Sequence, residues 1–260
     1  MRTLERPPKS WKTTILFIVV LWLILLIASL TILSSVVTPF LKTLQTQNLV
    51  SFDWGGYGVT SNILFPQPLV ENVSGSWTIP AVTVSAFDSF SAAWIGIGGQ
   101  ADQTLIQVGS QHNSIGSKAH YSLWYEMLPA NSISIPNIAV LPGDEIKASI
   151  TLVDSGTNEW LIEISDVTRG QSFSQSFRYN SSRLSAEWIV ERPTVNNQLS
   201  TLANFGSVTF TDVKVQIDGN TGNIKTFPNY HILMEDRQNN QLVTLSDFSP
   251  DGSSFTVAHV

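Results

Sequence analysis

The sequence predicts an all-β domain, an antiparallel sandwich or barrel, behind one N-terminal transmembrane helix. Three observations carry that prediction. Residues 15–37 form one uncharged apolar run. From Asp53 onward no stretch shows the 3.6-residue apolar period of an amphipathic helix. Instead, short segments alternating apolar and polar residues follow one another, separated by Gly, Pro, Asn, Asp and Ser.

Residues 1–12 form a basic tail. Arg2, Arg6, Lys9 and Lys12 face only Glu5 within the first 40 residues. The apolar run from Ile15 to Val37 has 23 residues. About 20 suffice to cross the hydrocarbon layer, and a secretory signal's apolar region is usually about 7–15. The run therefore predicts a membrane anchor over residues 13–38. The preceding positive charges place the N-terminus in the cytoplasm and the rest of the chain outside. A cleaved signal, giving a secreted protein, is the alternative. Residues 39–52 read as a short polar connector, and residues 53–260 as one domain.

Strands are expected at Val70–Ile79, Ala92–Ile97, Thr104–Val108, Ala119–Leu128 and Glu145–Val153. Further strands are expected at Trp160–Val167, Ser172–Arg178, Ala186–Glu191, Ser207–Val215 and Gln241–Leu245. Turn signals include Pro142-Gly143-Asp144, Asp218-Gly219-Asn220 and Asp251-Gly252.

Composition removes several functional classes. Residues 41–260 carry a net charge of −9, with no Lys/Arg cluster, which argues against a nucleic-acid partner. There are no cysteines, so thiolate metal sites and a cysteine nucleophile are excluded. The four histidines, His112, His120, His231 and His259, show no metal-ligand spacing, so neither a metal nor another cofactor is expected. No G-x-S-x-G motif supports a serine hydrolase. Asp154-Ser155-Gly156-Thr157 resembles the active loop of pepsin-like peptidases. That chemistry needs two such loops, and the tetrapeptide reads as a hairpin turn.

Three strands carry polar side chains suited to chemistry. In Ala186–Glu191, alternation puts Glu187, Ile189 and Glu191 on one face and Ala186, Trp188 and Val190 on the other. The two carboxyl groups are either solvated or placed for acid–base work in a cleft. In Ala119–Leu128, one face bears His120, Ser122, Trp124, Glu126 and Leu128. It reads as an outer sheet surface or as a groove for sugar or peptide. Gln107 shares a face with Leu105, and if buried its amide must find partners, because an unpaired one costs about 1–3 kcal/mol. The glycines of Ala92–Gly99, beside Trp94, permit close approach of another chain or mark a bulge.

Asp53-Trp54-Gly55-Gly56-Tyr57, VSGSWTIP, WIGIGG, LIQVG, Tyr121–Glu126, PGDEI, AEWIVE and LANFGSVTFTDV occur in this order across residues 53–260. In motif, order and spacing the domain resembles the glutamic peptidases, the eqolisins. The resemblance implies a sandwich of two bent antiparallel sheets, concanavalin-like, and acid endopeptidase activity on a polypeptide substrate. It implies a catalytic dyad of Gln107 and Glu191. Glu191 would act as general base and then acid, and Gln107 would stabilise the oxyanion. Trp54, Trp94, Trp124 and Glu126 fall on positions that line or support the family's cleft, with Glu187 as a structural companion of Glu191. Two family acids are missing, since Gly98 and Ser122 stand at those positions. Their loss implies a changed pH optimum or specificity, or a weakened enzyme. A cell-surface glycan-binding or adhesion sandwich is the non-enzymatic alternative. A glycosidase pairing Glu191 with Glu187 or Glu126 is a further one.

Overall fold

The computed structural model describes residues 18–29, 31, 32 and 45–260. The chain divides into two compact units, Met1–Leu44 and Gln45–Val260. In the first unit, residues 18–29, 31 and 32 are helical. Among the described residues no helix is long and apolar enough to cross a membrane. The anchor expected over residues 13–38 thus gains no support from the structure, and the remainder of that stretch lies outside the described residues, as does the basic tail.

The second unit is built from strands. It opens with β1 (Thr46–Ser51), β2 (Trp54–Thr60), β3 (Val70–Thr78), β4 (Ala92–Gly98), β5 (Leu105–Ile115), β6 (Lys118–Met127) and β7 (Ile133–Ser134). It continues with β8 (Glu145–Asp154), β9 (Glu159–Asp166), β10 (Gln171–Arg178), β11 (Ser185–Glu191), β12 (Thr194–Val195) and β13 (Gln198–Leu199). It ends with β14 (Ser207–Ile217), β15 (Asn220–Gly222), β16 (Asn229–Met234), β17 (Val243–Leu245) and β18 (Phe255–His259).

Two large sheets result. One has the order β1-β16-β2-β11-β4-β5-β6-β7, the other β10-β9-β8-β3-β14-β18-β17 with β15 beside β14. Pairing is antiparallel except at the edge, where β1 runs parallel to β16. That edge strand arises within the stretch read as a connector. β5 is also longer than its sequence pattern indicated. It passes through Gly109 to Ile115, because Gly109 pairs with Trp94 on one side and Trp124 on the other.

The two sheets bury one core between them. β11 contributes Ala186, Trp188 and Val190, and β4 contributes Ala93, Ile95 and Ile97. They meet Val73, Trp77, Ile150, Ile162, Phe210 and Val215 of the other sheet. Each large side chain removed from water stabilises the fold by about 1.5–3 kcal/mol. Two tryptophans also tie the sheets with polar contacts. Trp77 Nε1 donates to Ser110 Oγ at 2.8 Å, and Trp188 Nε1 donates to the Ser74 carbonyl at 2.9 Å. Ser110 Oγ also meets His112 Nε2 at 2.8 Å. Burial pushes His112 down to about 3, so this histidine is a neutral core residue.

Asp154-Ser155-Gly156-Thr157 turns the chain from β8 into β9. Asp154 Oδ1 accepts from the Gly156 N–H at 2.8 Å, and Oδ2 from Thr157 Oγ1 at 2.9 Å. These bonds hold the Asp154 carboxyl below its ordinary range, as suits a turn residue.

Candidate active site

The site lies on the other face of the sheet that contains β11. Strand register arranges it in three rows. The first runs Tyr230, Gly58, Glu187, Gly96, Gln107, Glu126. The second runs Gly56, Ile189, Trp94, Gly109, Trp124. The third runs Trp54, Glu191, Ala92, Gln111, Ser122. The alternation read from Ala186–Glu191 is therefore what the sheet adopts, but this face is not an open solvated surface. Trp94, Leu105, Trp124, Ile189, Tyr230 and Ile232 form a second apolar cluster on it.

A cavity of about 320 Å³ opens over the rows. Gln107, Glu191, Glu126, Trp54 and Trp124 line it, together with Asp53, Gln111 and other residues. The geometry thus brings Gln107 and Glu191 to one space. Trp94 is placed differently. It is fully buried and lies behind the lining, where its Nε1 donates to Glu191 Oε2 at 2.7 Å. Trp54 packs edge-on against it, with ring centroids 5.0 Å apart. The indole needs the glycine beneath it. A Cβ on Gly96 would meet Trp94 Cζ3 at 2.8 Å and Leu105 Cδ1 at 2.9 Å. The close approach that the strand glycines allow is therefore made by the protein's own side chains.

Burial governs the electrostatics. It pushes Glu191 up to about 8, and the charges of Asp53 and Glu126 add to this, while the Trp94 N–H works the other way. Glu126 is raised by burial against the opposing hydrogen bonds of Gln107 and the Ser132 backbone. Gln107 Nε2 donates to Glu126 Oε2 at 2.6 Å. That uses one of its two N–H donors and leaves the second for a ligand. Glu187 is wholly buried beside the row of glycines and does not line the cavity. Its carboxyl is raised well above the ordinary range by burial, with Asp102 adding to this and Ser185 opposing it.

The two positions that depart from the eqolisin pattern have local reasons. Gly98 has φ +90°, and a Cβ there would lie 2.3 Å from the Thr104 carbonyl oxygen. This backbone has no place for an aspartate at that position. Ser122 Oγ accepts from Gln111 Nε2 at 2.5 Å, so a neutral pair stands at the end of the third row.

Sequence reasoning missed several lining residues. Gln111 follows from the alternation Leu105, Gln107, Gly109 once β5 is carried past Gly109. Tyr179 gave no signal. Its hydroxyl accepts from the Leu105 N–H and donates to the Leu128 carbonyl, both at 2.8 Å, and so pins two residues of the cavity wall. Among the described residues, no group of three His, Cys, Asp or Glu is placed to hold a metal ion.

A β-sandwich whose outer cleft gathers carboxyl groups, a carboxamide and indoles has the equipment of a hydrolytic enzyme. The comparison with known proteins gives the family. Residues 53–259 match the model of the Peptidase A4 family, and the chain belongs to that family, the eqolisins. Aspergillopepsin-2 of Aspergillus niger is 27% identical over 212 residues, covering 72% of each chain. Scytalido-glutamic peptidase, solved with a transition-state analogue inhibitor, superposes with a TM-score of 0.68. It is 24% identical and covers 81% of this chain and 99% of its own. Aspergilloglutamic peptidase from Aspergillus niger gives a TM-score of 0.58 at 27% identity, covering 66% and 99%. The protein is a peptidase.

Proposed function

We propose that the protein is an acid endopeptidase in which Glu191 activates water and Gln107 stabilises the oxyanion. The observation that carries this reading is that both side chains line one cavity, with Glu191 held by the Trp94 N–H. In the reaction, ionised Glu191 takes a proton from water as its oxygen attacks the scissile carbonyl carbon. The carbonyl oxygen gains the negative charge and accepts from the free N–H of Gln107. Glu191 then passes its proton to the departing nitrogen, and the C–N bond breaks.

The raised Glu191 suits the second step, because a carboxyl with high proton affinity holds the proton until the amine takes it. The Trp94 N–H favours the ionised form that starts the reaction. Asp53 and Glu126 oppose ionisation of Glu191 while they are charged. The polypeptide runs over Trp54 and Trp124, which line the cavity. The same reading places the domain outside the cell, tethered by the apolar run at residues 15–37 or released from it. The basic residues before that run support this.

The test is cleavage of a denatured protein from about pH 2 to 7, with wild type beside Glu191→Gln. Pepstatin-insensitive cleavage that disappears in the variant is expected. Full activity in Glu191→Gln sinks the assignment of the base. Running the assay on intact cells and on their medium locates the domain.

A further inference from the structure

A second cavity, of about 560 Å³, lies just beyond the cleft and is lined by Arg192, Asn197, Gln198, Asp236, Arg237 and others. It is continuous with the site through the chain. Arg192 follows Glu191 directly, and Thr194, which lines the cleft, pairs with Leu199, which lines this cavity. Two arginines at one place are unusual in this unit. Residues 41–260 hold ten Lys and Arg against nineteen Asp and Glu.

Neither guanidinium makes a direct ion pair among the described residues. Among the described residues, the ion pairs are those of Arg169 and Arg183. Arg192 spends Nε and one Nη2 donor on the Phe52 carbonyl, at 3.1 and 2.7 Å. Three of its five N–H donors remain. Asp236, the carboxylate on the cavity wall, is occupied elsewhere. It accepts from the Gln238 N–H at 2.8 Å, the Asn240 N–H at 2.9 Å and Asn240 Nδ2 at 2.8 Å. Burial and the Arg237 charge both disfavour the charged form of Arg192, against the pull of Asp53 and Asp236. Two like charges facing one space, with donors to spare and amide side chains beside them, match the planar oxygen pair of a carboxylate.

We propose that this arginine-lined cavity is a substrate subsite that takes the side-chain carboxylate of an Asp or Glu residue flanking the bond to be cleaved. The subsite rests on the peptidase reading, and gives an otherwise acidic protein one point of attraction for an acidic segment.

The test separates binding from cleavage. The full chain carrying Glu191→Gln is titrated calorimetrically with end-blocked octapeptides, each bearing one Asp or one Asn, with the position scanned. The titration is run at about pH 5.5, where Asp is ionised. At one position Asp is expected to bind about tenfold more tightly than Asn. Arg237→Ala, at an exposed position, added to the same chain is expected to abolish that difference. The proposal fails if no peptide binds, if Asp and Asn bind alike at every position, or if the preference survives Arg237→Ala. Wild-type cleavage of the same peptides reports separately on the peptidase reading. A preference in binding without any cleavage sinks that reading and leaves the subsite standing.

Discussion

The two faces of the sheet that holds β11 bury polar groups in opposite ways. On the inner face, the buried polar groups are neutral. Trp188 reaches the Ser74 carbonyl, Ser110 links Trp77 to His112, and burial keeps His112 uncharged. On the outer face, burial falls on carboxyl groups. Glu191, Glu126 and Glu187 are all raised. The inner arrangement only holds the sheets together. The outer one stores proton affinity beside a cavity, and that is what proton transfer to a leaving amine requires.

The largest effect that would break this contrast concerns Gln107. If its second N–H serves the oxyanion, Gln107→Ala lowers kcat by about 10²–10³-fold with a smaller change in KM. Truncation of Ser110, an inner-face polar group on the same strand, costs stability instead and leaves kcat near wild type. Equal losses of kcat in the two variants would mean that the amide acts only through packing.

Next in size is the response of stability to pH. Glu191 and Glu187 have folded-state values above their unfolded ones. The folded state therefore binds these protons more tightly than the unfolded chain does. Their contribution is full below about pH 4.5 and is lost as pH rises, through about 8 for Glu191. The slope is about 1.4 kcal/mol per pH unit for each such carboxyl. Urea unfolding followed from pH 4 to 8 is expected to show a falling midpoint, with a shallower fall in Glu187→Gln. A midpoint that does not move over that range would remove the claim that the outer face buries its carboxyls in protonated form.

How much of this was legible follows the same division. Period-2 alternation found most of the strands whose side chains pack the inner face, because core residues such as Ala93, Ile95, Ile97, Ala186, Trp188 and Val190 alternate with residues of the other face. It also put Glu187 and Glu191 together. It missed β2, WGGYGVT, where glycines replace the expected alternation. A Cβ on Gly56 would meet the Trp188 carbonyl oxygen at 2.2 Å, so the glycine answers a neighbouring strand and not a local pattern. It missed the parallel pair β1 and β16, whose partners lie more than 180 residues apart. The family motifs marked Gln107 and Glu191, yet the burial of the outer face was not visible. That burial depends on Trp94 lying over Gly96, and on Tyr230, three strands away in the sheet order, closing the row above Glu187. Such cover is set by register between distant segments.

The smallest expected effect is also the sharpest comparison, because it sets one indole against another. Trp94 and Trp188 are both wholly buried, and each donates one hydrogen bond. Phenylalanine at either position removes the donor and keeps most of the apolar bulk. At Trp188 the lost partner is a neutral carbonyl, so the cost is about 1–3 kcal/mol of stability and the pH profile is unchanged. At Trp94 the partner is the Glu191 carboxyl, and the N–H favours its charged form. Without it the Glu191 pKa rises further, and the acid limb of kcat/KM moves to higher pH by about half a unit to one unit. The measurement is kcat/KM against pH for wild type, Trp94→Phe and Trp188→Phe. A shift in Trp94→Phe alone ties the indole to the proton on Glu191. The same shift in both variants would mean that the profile follows general loosening of the sheet, and the distinction between its faces would lose its catalytic content.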